Sequence, residues 1–203
     1  GVIATAAATV TVTVTTPAIT LFSLPTTVGA GLQAPGYTAR LGASQHGGVT
    51  MRIESSNAAA ARVAPNASTA GTAFIEVFIP NGQTDVTYTI QGIEGSSGTV
   101  IIRASAPGFT DQTGTVTVVQ PAFRLEGLTT STTSLSTDTA FYVALGLPSA
   151  GNGNLNAIQS VRVGSGGLTA TITNSNAAVG QLTTLAGSGQ SRTVTVAEGS
   201  PYS

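Results

Sequence analysis

Few side chains in this 203-residue chain could do chemistry, and their types and spacing argue against most reaction classes. The one histidine, His46, lies in Gly42-Ala43-Ser44-Gln45-His46-Gly47-Gly48, a glycine-flanked stretch that reads as a solvent-exposed loop. A lone imidazole gives no histidine pair for a metal. A Ser-His-Asp site would need Ser44 or a remote serine to converge on it, and no G-x-S-x-G elbow is present. Paired carboxylates could do glycosidase-type acid–base work. However, Glu54, Glu76, Asp85, Glu94, Asp111, Glu126, Asp138 and Glu198 are dispersed over turn and strand-polar positions, and they read as solvated surface. Calcium at a junction wants clustered oxygen ligands, and Asp111 and Glu126 near Pro121 are too few. With no cysteine there is no thiolate, disulfide or zinc–thiolate site, and with no lysine there is no Schiff base, P-loop lysine or lysine–asparagine crosslink. Gly151-Asn152-Gly153-Asn154 is not a phosphate loop, because no Gly-Lys-Ser/Thr follows it. The expectation is a protein with no catalytic residues, cofactor or metal, and therefore not an enzyme.

The remaining charges exclude other partners. All seven basic residues are arginines, scattered singly, so no basic stripe exists to neutralise a nucleic-acid backbone. Hydrophobic residues make up 41% of the chain and the net charge is −1, which suits a folded rather than a disordered chain. Gly1–Ala39 carries no charge, yet residues 9–16 alternate threonine and valine with a period of two. That pattern is a strand, not a spanning helix or a signal peptide with a basic leader. Only 7% of residues are charged. A surface of Thr, Ser, Gly, Asn and Ala suits a packed assembly or a glycan-coated fibre.

These groups must be positioned by strands, since no segment has convincing helical periodicity. Beyond 9–16, strands are expected near 18–24, 36–43, 49–55, 61–64, 73–79, 85–93, 98–105 and 114–119, with Pro80-Asn81-Gly82 as a turn. Ala58–Ala61 is the best helical candidate, soon closed by Pro65. Tyr37, Leu41, Phe74, Tyr88, Ile90 and Ile102 are assigned to a core, as are Phe141 and Leu145 farther on.

The chain also repeats itself. Thr11-Val12-Thr13-Val14, Pro17-Ala18, Leu21, Leu24, Tyr37, Leu41 and Gly42 recur 104 residues later as Thr115-Val116-Thr117-Val118, Pro121-Ala122, Leu125, Leu128, Phe141, Leu145 and Gly146. Gly47-Gly48-Val49-Thr50 with Ser56-Asn57-Ala58-Ala59 recurs 119 residues later as Gly166-Gly167-Leu168-Thr169 with Ser175-Asn176-Ala177-Ala178. The second copy therefore carries 119 − 104 = 15 extra residues, placed at Ser149–Asn156 and a short strand after it.

Ser55-Ser56-Asn57, Ala61-Arg62-Val63-Ala64-Pro65, Ile79-Pro80-Asn81-Gly82-Gln83 and Gly98-Thr99-Val100-Ile101-Ile102-Arg103-Ala104-Ser105-Ala106-Pro107-Gly108-Phe109, closing on Thr115–Val118, form one composite pattern. It resembles the tandem bacterial immunoglobulin-like repeats of invasin- and intimin-type surface proteins. The resemblance implies an all-β fold of tandem immunoglobulin-like Greek-key β-sandwiches, on the bacterial cell surface or otherwise extracellular, serving as a stalk, fibre or filament segment. It supplies no catalytic residues. On this reading residues 1–16 are terminal strands of a preceding repeat or a donor strand, 17–120 a complete sandwich, and 121–203 a second repeat lacking its last strands.

An unfinished sandwich leaves an open edge. The expected partners are neighbouring immunoglobulin-like repeats of the same or adjacent chains. The same polypeptide continuing past Ser203 is favoured, because residues 1–16 hold no counterpart of 85–93. In the strand-exchanged alternative Val10, Val12 and Val14 of a neighbouring chain fill the open core. A third reading is a glycan-binding adhesin module using Tyr142 or Tyr202, and a fourth is an accessory domain of an enzyme. Asn66-Ala67-Ser68 is a candidate glycosylation sequon. Thr129–Ser134 could carry O-glycans but reads better as a polar loop, and Leu24-Pro25-Thr26-Thr27 lacks the rest of a sortase signal.

Overall fold

The computed structural model describes residues 11–151 and 153–203. The described residues are all-β, and no helix among them is long and apolar enough to cross a membrane. The first group of strands is β1 (Ile19–Phe22), β2 (Thr27–Gly29), β3 (Leu32–Leu41), β4 (Val49–Ser55), β5 (Ala61–Ala64), β6 (Phe74–Ile79), β7 (Asp85–Gly92), β8 (Gly98–Ser105) and β9 (Gln112–Val119). They form two sheets, one in the order β1-β3-β7-β5 and the other in the order β2-β9-β8-β4-β6. β2 joins β9 in parallel, and the other pairings are antiparallel.

Period-two alternation explains why the sheets pack face to face. In β8, Val100, Ile102 and Ala104 point inward while Thr99, Ile101 and Arg103 point out; in β9, Val116 and Val118 point inward. They meet Ile19, Leu41, Val63, Tyr88 and Ile90 of the facing sheet in one sandwich-like core.

The second group is β10 (Ala122–Glu126), β11 (Tyr142–Pro148), β12 (Leu155–Ile158), β13 (Ser160–Val161), β14 (Leu168–Thr173), β15 (Leu182–Thr184), β16 (Gly187–Gly189) and β17 (Ser191–Val196). β10-β11-β12 is one sheet, while β14-β17 and β15-β16 are two-stranded. In β10–β11 Phe123 faces Leu145 and Leu125 faces Val143; in β1–β3 Ile19 faces Leu41 and Leu21 faces Ala39. Each number is 104 lower in the first group. β14 pairs β17 as β4 pairs β6, antiparallel, but β4 also holds β8 on its other edge. Among the described residues β14 has no second neighbour.

Several expectations change. Residues 11–16, expected as part of a strand, pair with no described residue, leaving Val12 77% and Val14 90% exposed; the alternation fits a strand, but a strand needs a ladder partner. Residues 9 and 10 lie outside the described residues. β2 was not expected, and β3 begins at Leu32, ahead of Pro35-Gly36, where the register shifts between Ala34 and Tyr37. Ala58–Ala60 is a turn closed by hydrogen bonds from the Ala60 and Ala61 amides to the Asn57 carbonyl, and Ala61 starts β5. Phe74, assigned to the core, is on the outer face of edge strand β6 with the Arg52 guanidinium 3.6 Å over its ring.

Candidate functional site

His46 is half-buried rather than an exposed loop histidine. The Gly48 amide donates to its Nδ1 (3.1 Å), which leaves the proton on Nε2 to donate to the Gln83 carbonyl (3.0 Å), and Phe109 meets the ring edge-on at 6.0 Å. Nε2 thus holds the loop against the Pro80–Gln83 turn, and Nδ1 holds the loop's own Gly48 amide.

The carboxylates that look dispersed in sequence are gathered by strand register. Arg52 lies directly across from Glu76 on β4–β6, Glu54 across from Arg103 on β4–β8, and Arg40 across from Asp85 on β3–β7. All three cross-strand pairs are ion pairs, and Arg52–Glu54 and Arg103–Asp111 extend the first two into a five-residue chain on the outer face. Hydrogen bonds from Arg52 and then Arg103 hold the Glu54 carboxyl below its usual range, and Arg40 does the same to Asp85. Glu126 pairs with Arg124, and Glu198 accepts the Gly166 amide (2.6 Å), which lowers its pKa. Among the described residues no three His, Asp or Glu converge as a metal site.

A buried polar cluster had no sequence signal. Gln91 and Gln33, on neighbouring β7 and β3, are both buried. Gln91 Nε2 donates to Gln33 Oε1 (3.0 Å) and to the Thr69 carbonyl (2.9 Å), and its Oε1 accepts the Gly71 amide (2.7 Å). Gln33 Nε2 donates to the Ala67 carbonyl (2.9 Å). Every amide function has a partner, which offsets burial, and the loop from Asn66 to Gly71 is tied to the sheet. Asn66 itself is exposed, with Oδ1 accepting from the Ser68 amide and the Thr69 hydroxyl.

Two surfaces remain. The first is a seam where the extra residues of the second group cross onto the first. Ser160–Val161 extend the first sheet by pairing with Gln33 and Leu32 of β3. Gln159 Oε1 accepts the Gly29 amide (2.9 Å), the Arg162 amide donates to the Gly31 carbonyl (2.9 Å), and Arg162 Nη2 reaches Glu94 Oε2 (2.6 Å). Beneath these bonds Leu32 packs with Leu145, Val161 and Val196, all buried.

The second is an open cleft of about 470 Å³ in the second group. Phe141, Ile172, Leu182 and Val194 supply its apolar lining, and Asp138 and Arg192 its charged lining. Phe141, expected in a core, is half-buried there. Tyr142 and Tyr202 meet at its side, edge to face with ring centroids 5.5 Å apart and both partly exposed. Ile172 is partly exposed where its counterpart 119 residues earlier, Ile53, is fully buried beneath β8. No family model matches the chain, and neither does any curated protein.

Proposed function

We propose that the chain is a structural segment of an extracellular bacterial surface protein, a stalk or fibre built from tandem immunoglobulin-like sandwiches. The seam is the observation that carries this reading. A joint made of a shared sheet, an ion pair and a buried apolar cluster holds one unit at a fixed angle to the next, which is what a spacer needs in order to transmit force and set distance. The common register of β1–β3 and β10–β11 supports a repeated unit. The polar groups that a catalyst would use are engaged in holding loops and strands, His46 and the Glu54 chain among them.

The test is the distance distribution between spin labels placed at Thr50 and Thr169, outward positions on the two groups. A single narrow distance that broadens in Arg162→Ala supports a rigid spacer. A broad distribution in the unaltered chain overturns it. The Tyr142–Tyr202 pair favours a second reading, a glycan-binding module, which glycan-array binding lost in Tyr142→Ala would establish instead.

A further inference from the structure

We infer that the free edge of β6 pairs with the same edge of a second copy of this chain, antiparallel and centred on Glu76. β6 is the outermost strand of the sheet β2-β9-β8-β4-β6, and the strands before and after it in sequence, β5 and β7, both lie in the other sheet. The loops that join β6 to them are described throughout, so the edge is set within the first group. Devices that discourage edge pairing are missing from it. β6 has no proline and no bulge, and its one charge, Glu76, is paired with Arg52 of the same sheet (3.1 Å).

The hydrogen-bond phase shows which groups the edge offers. The Ser55 amide donates to the Ala73 carbonyl (2.9 Å), in line with the β4–β6 register. Antiparallel bonding alternates along a strand, so Ile75, Val77 and Ile79 turn their backbone groups to β4, while Phe74, Glu76 and Phe78 turn theirs off the edge. Among the described residues the backbone groups of those three meet only the Thr72 hydroxyl, which donates to the Phe74 carbonyl (2.5 Å) and leaves it a second lone pair. The side chains are short of neighbours as well. Phe74 is 42% and Phe78 64% exposed on the outer face, and Ile75 and Val77, which point inward, are only partly buried against the core.

The order of the residues identifies the occupant. Phe74-Ile75-Glu76-Val77-Phe78 reads the same in both directions by residue class, which is what an antiparallel pair about a two-fold axis requires. With the axis at Glu76, Phe74 faces the second copy's Phe78 and Ile75 faces its Val77, so the outer face and the core both continue across the joint. All the offered backbone groups are then used, as in β-strand addition. An axis at Val77 would set Phe74 against Pro80, which has no N–H, and an axis at Ile75 would set Phe78 against Thr72, which already bonds Val63 of β5. The one unfavourable contact is Glu76 against itself, moderated by Arg52 on each side. β17, the counterpart of β6, reads Ser191-Arg192-Thr193-Val194-Thr195-Val196 and has neither the aromatic residues nor the symmetry. The contact closes at two copies and sets two chains side by side.

The chain has no cysteine, so single cysteines test the axis directly. Bonded antiparallel residues lie about 5.5 Å apart between Cα atoms, within disulfide reach. Glu76→Cys is expected to form an oxidised dimer about tenfold or more faster than Thr115→Cys, an exposed position on the outer face of β9. Sedimentation velocity up to about 100 µM is expected to show a reversible dimer of the unaltered chain. Phe78→Asp should weaken it about tenfold or more, and Glu76→Gln should tighten it about two- to fivefold, both with unchanged circular dichroism. An unaltered chain that stays monomeric, a dimer that Phe78→Asp leaves intact or Glu76→Gln fails to tighten, or equal oxidation rates at positions 76 and 115 overturns the inference. Each of those results leaves the spin-label distances within one chain unchanged, so the spacer reading stands or falls separately.

Discussion

Arg162 and Glu94 lie 68 residues apart in sequence and meet at 2.6 Å across the seam, with the arginine side chain only 8% exposed and the glutamate 35%. The pairing joins a loop just after β7 to the end of the extra segment in the second group. This buried guanidinium donates to that carboxylate and to the Val163 carbonyl, while its Nε is buried with no partner among the described residues. Removing either partner costs about 1–3 kcal/mol, given that the glutamate remains partly in water. Calorimetry of Arg162→Ala is expected to split one thermal transition into two as the groups uncouple. A double-mutant cycle with Glu94→Ala should return a coupling of about 1–2 kcal/mol.

Gly92 is a point where the chain has no room for a side chain. A Cβ there would stand 2.3 Å from the carbonyl oxygen of Gly29, where Ala30 bridges Gly92 between the two sheets. Backbone cannot yield as a flexible side chain can, so Gly92→Ala should destabilise by about 2–3 kcal/mol. Urea unfolding measures this, with Gly95→Ala in the open turn nearby as the control for backbone strain alone.

The Tyr88 hydroxyl is buried with no hydrogen-bond partner among the described residues, and burial followed by the neighbouring Tyr37 pushes its pKa well above the ordinary phenol value. Deleting the oxygen removes a desolvated polar group and leaves the ring packing in place. Tyr88→Phe is expected to keep or raise the melting temperature, by up to roughly 3 °C for a gain of about 1 kcal/mol. Tyr88→Ala, which empties the core position, should cost about 3–5 kcal/mol.

Glu54 and Asp85 both have carboxyls depressed in the folded protein by arginine hydrogen bonds. A depressed folded pKa contributes stability that is present above the unfolded value and is lost as pH falls through the folded one. The melting temperature should therefore be level at neutral pH and begin to fall below about pH 4, where unfolded carboxylates start to take protons. Glu54→Gln combined with Asp85→Asn is expected to lower stability at pH 7 and to flatten the acid limb of the same melting curve.

The strands of the first group were legible because alternation is a local property. Val100, Ile102 and Ala104 announce an inward face whatever sheet they join, and Thr-Val alternation marks 114–119 equally well. At 11–16 the same alternation stands without a ladder, since a pattern that permits a strand does not provide the neighbour that makes one. Repetition at 104 residues is likewise written in the sequence, and it reappears as the shared register of β1–β3 and β10–β11.

What tertiary structure alone decided are the contacts between residues distant in sequence whose types are unremarkable one by one. Glu54, Glu76 and Asp111 look like scattered solvated charges until register places Arg52 and Arg103 among them. Gln33 and Gln91 look like ordinary polar strand residues until a loop folds over both and makes their burial affordable by satisfying every amide group. The 15 extra residues can be counted in the sequence, but not their destination on β3. Period and composition depend on neighbours along the chain and can be read from it. Pairing across a sheet or a seam depends on which distant backbone satisfies each hydrogen-bonding group, and only the assembled fold decides that.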